Sequence, residues 1–120
     1  MPARILIVED SPLVTDALRV LFTAAGYEVD AAASVAEAVE RGASAPVDIM
    51  LLDLTLPDGN GLDVLDALRA RSSLPRWTLA MTGHNDSASR RRCLEAGCAA
   101  VLLKPVPIAE LLRQIERHLA

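Results

Sequence analysis

The stretch Ile49-Met50-Leu51-Leu52-Asp53 sets four apolar residues in an unbroken row and closes on a carboxylate. Such a run suits a strand covered on both faces, as in a parallel sheet with helices on either side; a half-solvated strand would alternate. Working outward, the same grammar recurs. Ile5-Leu6-Ile7-Val8 precedes Glu9-Asp10, Trp77 to Met81 precedes Thr82, and Ala99 to Leu103 precedes Lys104-Pro105. Glu28 to Ala32 is a weaker run, second in the chain, followed by Ala33 and Ser34 with nothing reactive.

Helical patterns fill the intervals. One runs from Ser11 to about Ala25, with Ser11 as cap, Pro12 at the first helical position and Gly26 as stop. Leu13, Ala17, Val20 and Leu21 have the spacing of its apolar face. Ser34-Val35-Ala36-Glu37 is a capping box opening a short helix that is expected to end at Gly42. A turn-rich loop, Pro57-Asp58-Gly59-Asn60-Gly61, leads into a helix to about Arg71. Asp86 or Ser87 caps a helix to Ala96 that stops at Gly97. The last helix starts near Pro107 and carries Ile108, Leu111, Leu112, Ile115 and Leu119 on one face. Strict alternation of strand and helix predicts an α/β fold: a parallel sheet with right-handed crossovers and helices on both faces. No linker or composition shift divides the chain, so residues 1–120 read as one domain, with no output module expected on this polypeptide.

Composition agrees. At 120 residues, 52% hydrophobic and 23% charged, the chain can build a core and is not a disordered polymer. Aromatics are scarce (Phe22, Tyr27, Trp77), so aliphatic side chains fill that core. Apolar runs are too short to span a bilayer and no leader pattern opens the chain, so a cytoplasmic location is expected. A net charge of −4 argues against a nucleic-acid surface, and the one basic run, Arg90-Arg91-Arg92, reads as a solvated helix face. Cys93 and Cys98 are too few for a thiolate metal site and are expected to be small buried residues rather than a disulfide.

In open parallel sheets ligands bind beyond the carboxyl ends of the strands. Glu9, Asp10, Asp53, Thr82 and Lys104 all fall there, and Lys104 is the only lysine among twelve cationic residues. Three carboxylates held together would repel, and one would be driven neutral unless a cation joined them. Oxygen ligands alone point to Mg²⁺. With that ion and Lys104 the site becomes neutral and can accept a phosphoryl group. Asp53 then serves as nucleophile, forming an acyl phosphate. Lys104 and the Thr82 hydroxyl meet the phosphoryl oxygens, while Glu9 and Asp10 hold the metal.

At these residues the chain resembles the receiver domain of bacterial two-component response regulators. The resemblance spans essentially the whole chain and rests on four pieces in order: Val8-Glu9-Asp10, Leu51-Leu52-Asp53-Leu54 with Leu56-Pro57 and Gly61, Met81-Thr82-Gly83, and Lys104-Pro105. It implies a flavodoxin-like (βα)5 fold with strand order 2-1-3-4-5. It implies Asp53 as phosphoacceptor; Glu9, Asp10, Asp53 and the Thr55 main-chain carbonyl as Mg²⁺ ligands; and Thr82 and Lys104 as phosphoryl contacts. The implied donor is a phosphohistidine on a sensor histidine kinase or a phosphotransfer protein. The implied reader is a downstream protein target or a fused output domain, and the usual dimer surface is helix 4–strand 5–helix 5. Thr55 and His84 occupy positions that in this family flank the attacking water. One departure stands out: the aromatic residue common three places before the lysine is Val101 here. The readout is therefore expected to run through Gly83-His84-Asn85-Asp86 instead.

Three other readings compete. An aspartyl phosphatase of the haloacid dehalogenase type needs an acid two residues after the nucleophile, where this chain has Thr55. A flavin or dinucleotide carrier needs glycines in the first strand-to-helix turn, where this chain has Val8-Glu9-Asp10-Ser11-Pro12. A non-phosphorylated pseudo-receiver scaffold would not need the full set of site residues. The expected activity is self-phosphotransfer and slow autodephosphorylation, not enzymatic turnover.

Overall fold

The computed structural model describes residues 2–84 and 86–120. Five parallel strands form one sheet: β1 (Arg4–Val8), β2 (Glu28–Ala32), β3 (Ile49–Asp53), β6 (Trp77–Thr82) and β7 (Ala100–Leu103). Between β3 and β6 the chain makes a small antiparallel hairpin, β4 (Thr55–Leu56) and β5 (Gly59–Asn60). Among the described residues the helices are α1 (Pro12–Ala24), α2 (Val35–Ser44), α3 (Leu62–Ala70), α4 (Ser87–Glu95) and α5 (Ile108–Leu119). The sheet order is β2-β1-β3-β6-β7, which is order 2-1-3-4-5 for its five strands.

Alternation along the strands divides the core into two layers. Leu6, Val8, Met50, Leu52 and Ala80 pack with α2 and α3, together with Cys93 of α4. Ile5, Ile7, Ile49, Leu51, Leu79 and Met81 face Leu18 and Phe22 of α1 and Leu111 and Ile115 of α5. The central strand β3 is buried along its whole length, as its unbroken apolar run requires.

The structure corrects the expected apolar face of α1. Leu13 and Val20 are 82% and 72% exposed, and the buried residues are Leu18 and Phe22. The helix carries two apolar stripes of equal spacing, and the one with bulky Leu18 and Phe22 meets the sheet. Helix α2 also runs past Gly42 to Ser44. Gly42 is a contact rather than a stop: Leu68 of α3 lies where a side chain would begin. Ser34 caps α2 as expected, accepting from the Glu37 N–H at 3.1 Å. Unforeseen was a second cap from the hairpin. The Asp58 carboxylate accepts from the N–H groups of Val35 (2.7 Å) and Ala36 (3.1 Å), tying the β4–β5 turn to the start of α2.

Gly61 sets how closely α3 approaches the end of β3. Its N–H donates to the Leu54 carbonyl at 3.0 Å, and an added Cβ would collide with the Asp53 carbonyl oxygen and crowd the Leu54 Cα. The obstructing atoms are backbone, so they cannot swing aside. Gly61→Ala is expected to cost about 2–3 kcal/mol, read as a lower urea midpoint, against little change for Gly83→Ala, whose added methyl meets nothing.

Candidate functional site

Parallel pairing places the strand ends side by side. Val8 pairs with Leu52, Asp53 with Met81, and Thr82 with Leu103. The next residues outward are therefore Glu9, Leu54, Gly83 and Lys104. The Glu9 N–H donates to the Ala32 carbonyl at 3.0 Å, and the Lys104 N–H to the Thr82 carbonyl at 2.8 Å. Both side chains are thus fixed at the rim by an extension of the ladder.

Glu9, Asp10 and Asp53 come together there, each offering a carboxylate oxygen within 4.8 Å of the others. Glu9 and Asp53 are buried, whereas Asp10 is exposed. The Lys104 ammonium donates to Asp53 Oδ2 at 2.7 Å and lies 3.6 Å from Glu9 Oε2. The Thr55 N–H holds the other Asp53 oxygen at 3.0 Å, so residue 55 touches the proposed nucleophile through its main chain. Thr82 ends β6 beside this cluster, and its hydroxyl accepts the His84 N–H at 3.0 Å. Thr82 and His84 line a pocket of about 130 Å³ toward α4 that also touches Thr55. Of the expected loop Gly83 to Asp86, Asn85 lies outside the described residues; Asp86 caps α4 by accepting from the Ser89 N–H at 2.7 Å. Val101, at the place of the missing aromatic, packs half-buried against the α2–α3 layer.

One lysine does not neutralise three carboxylates. Burial, and then the neighbouring Asp53, push the Glu9 carboxyl up to about 7. Burial opposes the charge on Asp53 too, but the neighbouring Glu9 and the hydrogen bonds from Lys104 and the Thr55 N–H outweigh it and hold Asp53 below its ordinary range. Burial works against the Lys104 ammonium, yet its bond to Asp53 holds it above the usual lysine range. The cluster thus keeps a proton on Glu9 where a cation is wanted. Glu9 Oε2 is moreover a buried oxygen without a hydrogen-bond donor. A buried carboxylate oxygen that accepts no hydrogen bond, with its one nearby cation 3.6 Å away and two more carboxylates beside it, fits a hard divalent cation.

This proton makes stability depend on pH in a definite direction. Glu9 binds its proton more tightly folded than unfolded, so its contribution is complete below about 4.5 and is lost as pH rises through about 7. Asp53, shifted the other way, loses its contribution only below the ordinary carboxylate value, outside that window. Between pH 5 and 8 the metal-free protein is expected to lose on the order of 2 kcal/mol more stability than its Glu9→Gln variant. Urea unfolding in the presence of a chelator measures this, and equal pH slopes would refute it.

A second feature adjoins the site. Between α1 and α5 a groove of about 640 Å³ opens beside Glu9 and Lys104, lined by Leu13, Val14, Met81 and Ile108 among others. The solvent-facing stripe of α1 forms one wall. Among the described residues, no helix is long and apolar enough to cross a membrane.

Comparison with known proteins agrees with this geometry. The family model described as the response regulator receiver domain matches residues 5–116. The chain is 40% identical over 119 residues to the TorCAD operon transcriptional regulatory protein TorR of Escherichia coli O157:H7, covering 99% of this chain and 51% of that protein. It is 34% identical over 111 residues to the transcriptional regulatory protein KdpE of Mycobacterium tuberculosis, covering 92% of this chain and 48% of that one. The chain thus spans about half the length of these curated relatives. Among solved structures, it is similar to a CheY-like response regulator receiver domain protein from Methanospirillum hungatei JF-1, with TM-score 0.89, 30% identity and coverage of 99% and 94%. It is also similar to the receiver domain of a sensor histidine kinase from Pseudomonas aeruginosa PAO1, solved with a magnesium ion coordinated in its active site cleft. That pair has TM-score 0.84, 30% identity and coverage of 98% and 97%.

Proposed function

Because this chain belongs to the response regulator receiver domain family of two-component signal transduction, we propose that it works as a phosphorelay switch in which Asp53 accepts a phosphoryl group from a phosphohistidine. The observation that carries the assignment is the pairing of Asp53 with Lys104 at 2.7 Å inside a ring of acidic oxygens. An Asp53 carboxylate oxygen attacks phosphorus, the P–N bond breaks, and its electron pair leaves with the donor imidazole. The product is an aspartyl phosphate.

Glu9, Asp10, Asp53 and the Thr55 main-chain carbonyl would hold Mg²⁺, which when bound neutralises acidic charge and polarises a phosphoryl oxygen. Lys104 moves its ammonium from the bare Asp53 carboxylate to the phosphoryl oxygens. The Thr55 N–H keeps the Asp53 carboxylate oriented during attack. Thr82 turns its hydroxyl from the His84 N–H toward the new phosphoryl oxygens, which couples the site to the start of the loop before α4. The switch reverses when water attacks phosphorus and Asp53 leaves as carboxylate. No acid stands two residues past Asp53 to speed that step, so we expect slow self-dephosphorylation and no turnover of phosphate esters.

Donor docking fits the groove between α1 and α5, which is apolar and opens directly beside Glu9 and Lys104. A homodimer would use the α4–β7–α5 face, where Leu94 and Leu103 are 47% and 48% exposed. The test is incubation with acetyl phosphate with and without Mg²⁺. A magnesium-dependent, hydroxylamine-labile adduct on the peptide bearing Asp53 is expected. Its absence would leave a non-phosphorylated scaffold, and multiple turnover of small phosphomonoesters would indicate a phosphatase.

A further inference from the structure

The end of α4 brings two thiols together. Gly97, at φ +108°, turns the chain out of the helix. The Cys98 N–H then donates back to the Cys93 carbonyl at 3.0 Å, and the Gly97 N–H to the Leu94 carbonyl at 3.1 Å. These two bonds close a helix C-terminus in which the side chains at the first and last positions of the turn pack together. Here those side chains are Cys93 and Cys98, both free, buried and packed in the same core layer. Backbone closure of this kind brings the two residues to the approach that a disulfide needs.

Cys93, 1% exposed against 5% for Cys98, differs from its neighbour in position rather than in exposure. It is the one buried residue of α4, so the helix hangs on that side chain, and it also lines the 130 Å³ pocket beside Thr82 and His84. Arg92 and Ser89 share that lining. Cys98 lies behind it in the α2–α3 layer.

We propose that Cys93 and Cys98 form a dithiol oxidation site on which hydrogen peroxide acts, with Cys93 attacking and Cys98 resolving. The Cys93 sulfur attacks the peroxide O–O bond, takes one oxygen as a sulfenic acid and releases the other as water. The Cys98 thiol then displaces that oxygen as a second water and forms the S–S bond. Two thiols give up two electrons and two protons, and the peroxide is reduced to two waters. Burial raises both thiols, but Arg92 draws Cys93 back toward its thiolate, whereas burial and the neighbouring sulfur push Cys98 up to about 12. That asymmetry matches the two roles. Reaction requires α4 to lift, since the closed form buries both sulfurs, so oxidation is expected to run roughly tenfold or more below that of an exposed cysteine.

The experiment treats the reduced, folded chain with hydrogen peroxide, unfolds it, blocks remaining thiols with N-ethylmaleimide and maps the tryptic peptide that begins at Cys93. The wild type should lose two hydrogens on that peptide and take up no maleimide. Cys98→Ala should instead accumulate a sulfenic acid trapped by dimedone at Cys93, and Cys93→Ala should leave Cys98 free. The wild-type result alone decides the pairing if either variant fails to fold. Two maleimide-labelled thiols after peroxide, or a disulfide found only between chains, overturns the proposal. Neither outcome depends on phosphorylation of Asp53.

Discussion

Asp53→Asn is expected to abolish phosphoryl uptake from acetyl phosphate, a loss of at least about 10³-fold. The substitution keeps shape and volume but removes the nucleophile. An amide oxygen carries no charge, and its attack on phosphorus yields no stable acyl phosphate. The remaining carboxylates do not substitute for it. Glu9 is buried and keeps its proton up to about 7, and Asp10 is exposed and has no contact with Lys104 comparable to the 2.7 Å bond of Asp53. The variant should fold, because the cluster contains more negative charge than its single lysine offsets, and removing one charge relieves Glu9. Radiolabel from acetyl phosphate, counted before and after hydroxylamine, measures the loss. Label retained at wild-type stoichiometry would move the nucleophile to another residue.

Lys104→Ala is expected to lower the rate of uptake by about 10²–10³-fold while leaving Asp53 chemically intact. The ammonium is the one side-chain cation in contact with both Asp53 (2.7 Å) and Glu9 (3.6 Å) among the described residues. In the resting protein it offsets part of the acidic charge. In the proposed reaction it meets charge that develops on the phosphoryl oxygens, so its removal acts on the transition state more than on binding of Mg²⁺. Lys104→Arg should restore little, because a planar guanidinium does not replace a compact ammonium at a half-buried rim position. Single-turnover kinetics at saturating Mg²⁺ separate the effects. A variant corrected fully by more metal would show that Lys104 is only a counter-charge.

The strand ends were legible in the sequence for a physical reason. A parallel strand buried on both faces is nearly all apolar until it leaves the sheet, so the polar residue that closes the apolar run marks the rim, even though β6 also buries Thr78. That rule located Glu9, Asp53, Thr82 and Lys104 without any knowledge of their contacts. It could not show that Lys104 bonds Asp53 across 51 residues, because that depends on β3 and β7 flanking β6 in register. The α1 face was misjudged at Leu13, Ala17 and Val20, though Leu21 of that same face does pack on the core; Leu18 and Phe22 satisfy helical spacing equally well, and only the sheet below selects them. The β4–β5 hairpin has two-residue strands, too short to carry any alternation, and Asp58 caps a helix 22 and 23 residues earlier in the chain. Gly61 looked like a turn former, whereas its requirement is room for the Asp53 carbonyl. The cysteine pair was visible as a spacing of five, but its contact needed the closure at Gly97.

The most direct measurement is a crystal structure of the chain with Mg²⁺ and beryllofluoride, a mimic of a bound phosphoryl group. The expected result is beryllofluoride on Asp53, the metal held by Glu9, Asp10, Asp53 and the Thr55 carbonyl, the Lys104 ammonium moved onto fluoride, and the Thr82 hydroxyl turned away from the His84 N–H. Density for neither group, with Lys104 still bonded to a bare Asp53 carboxylate, would contradict it.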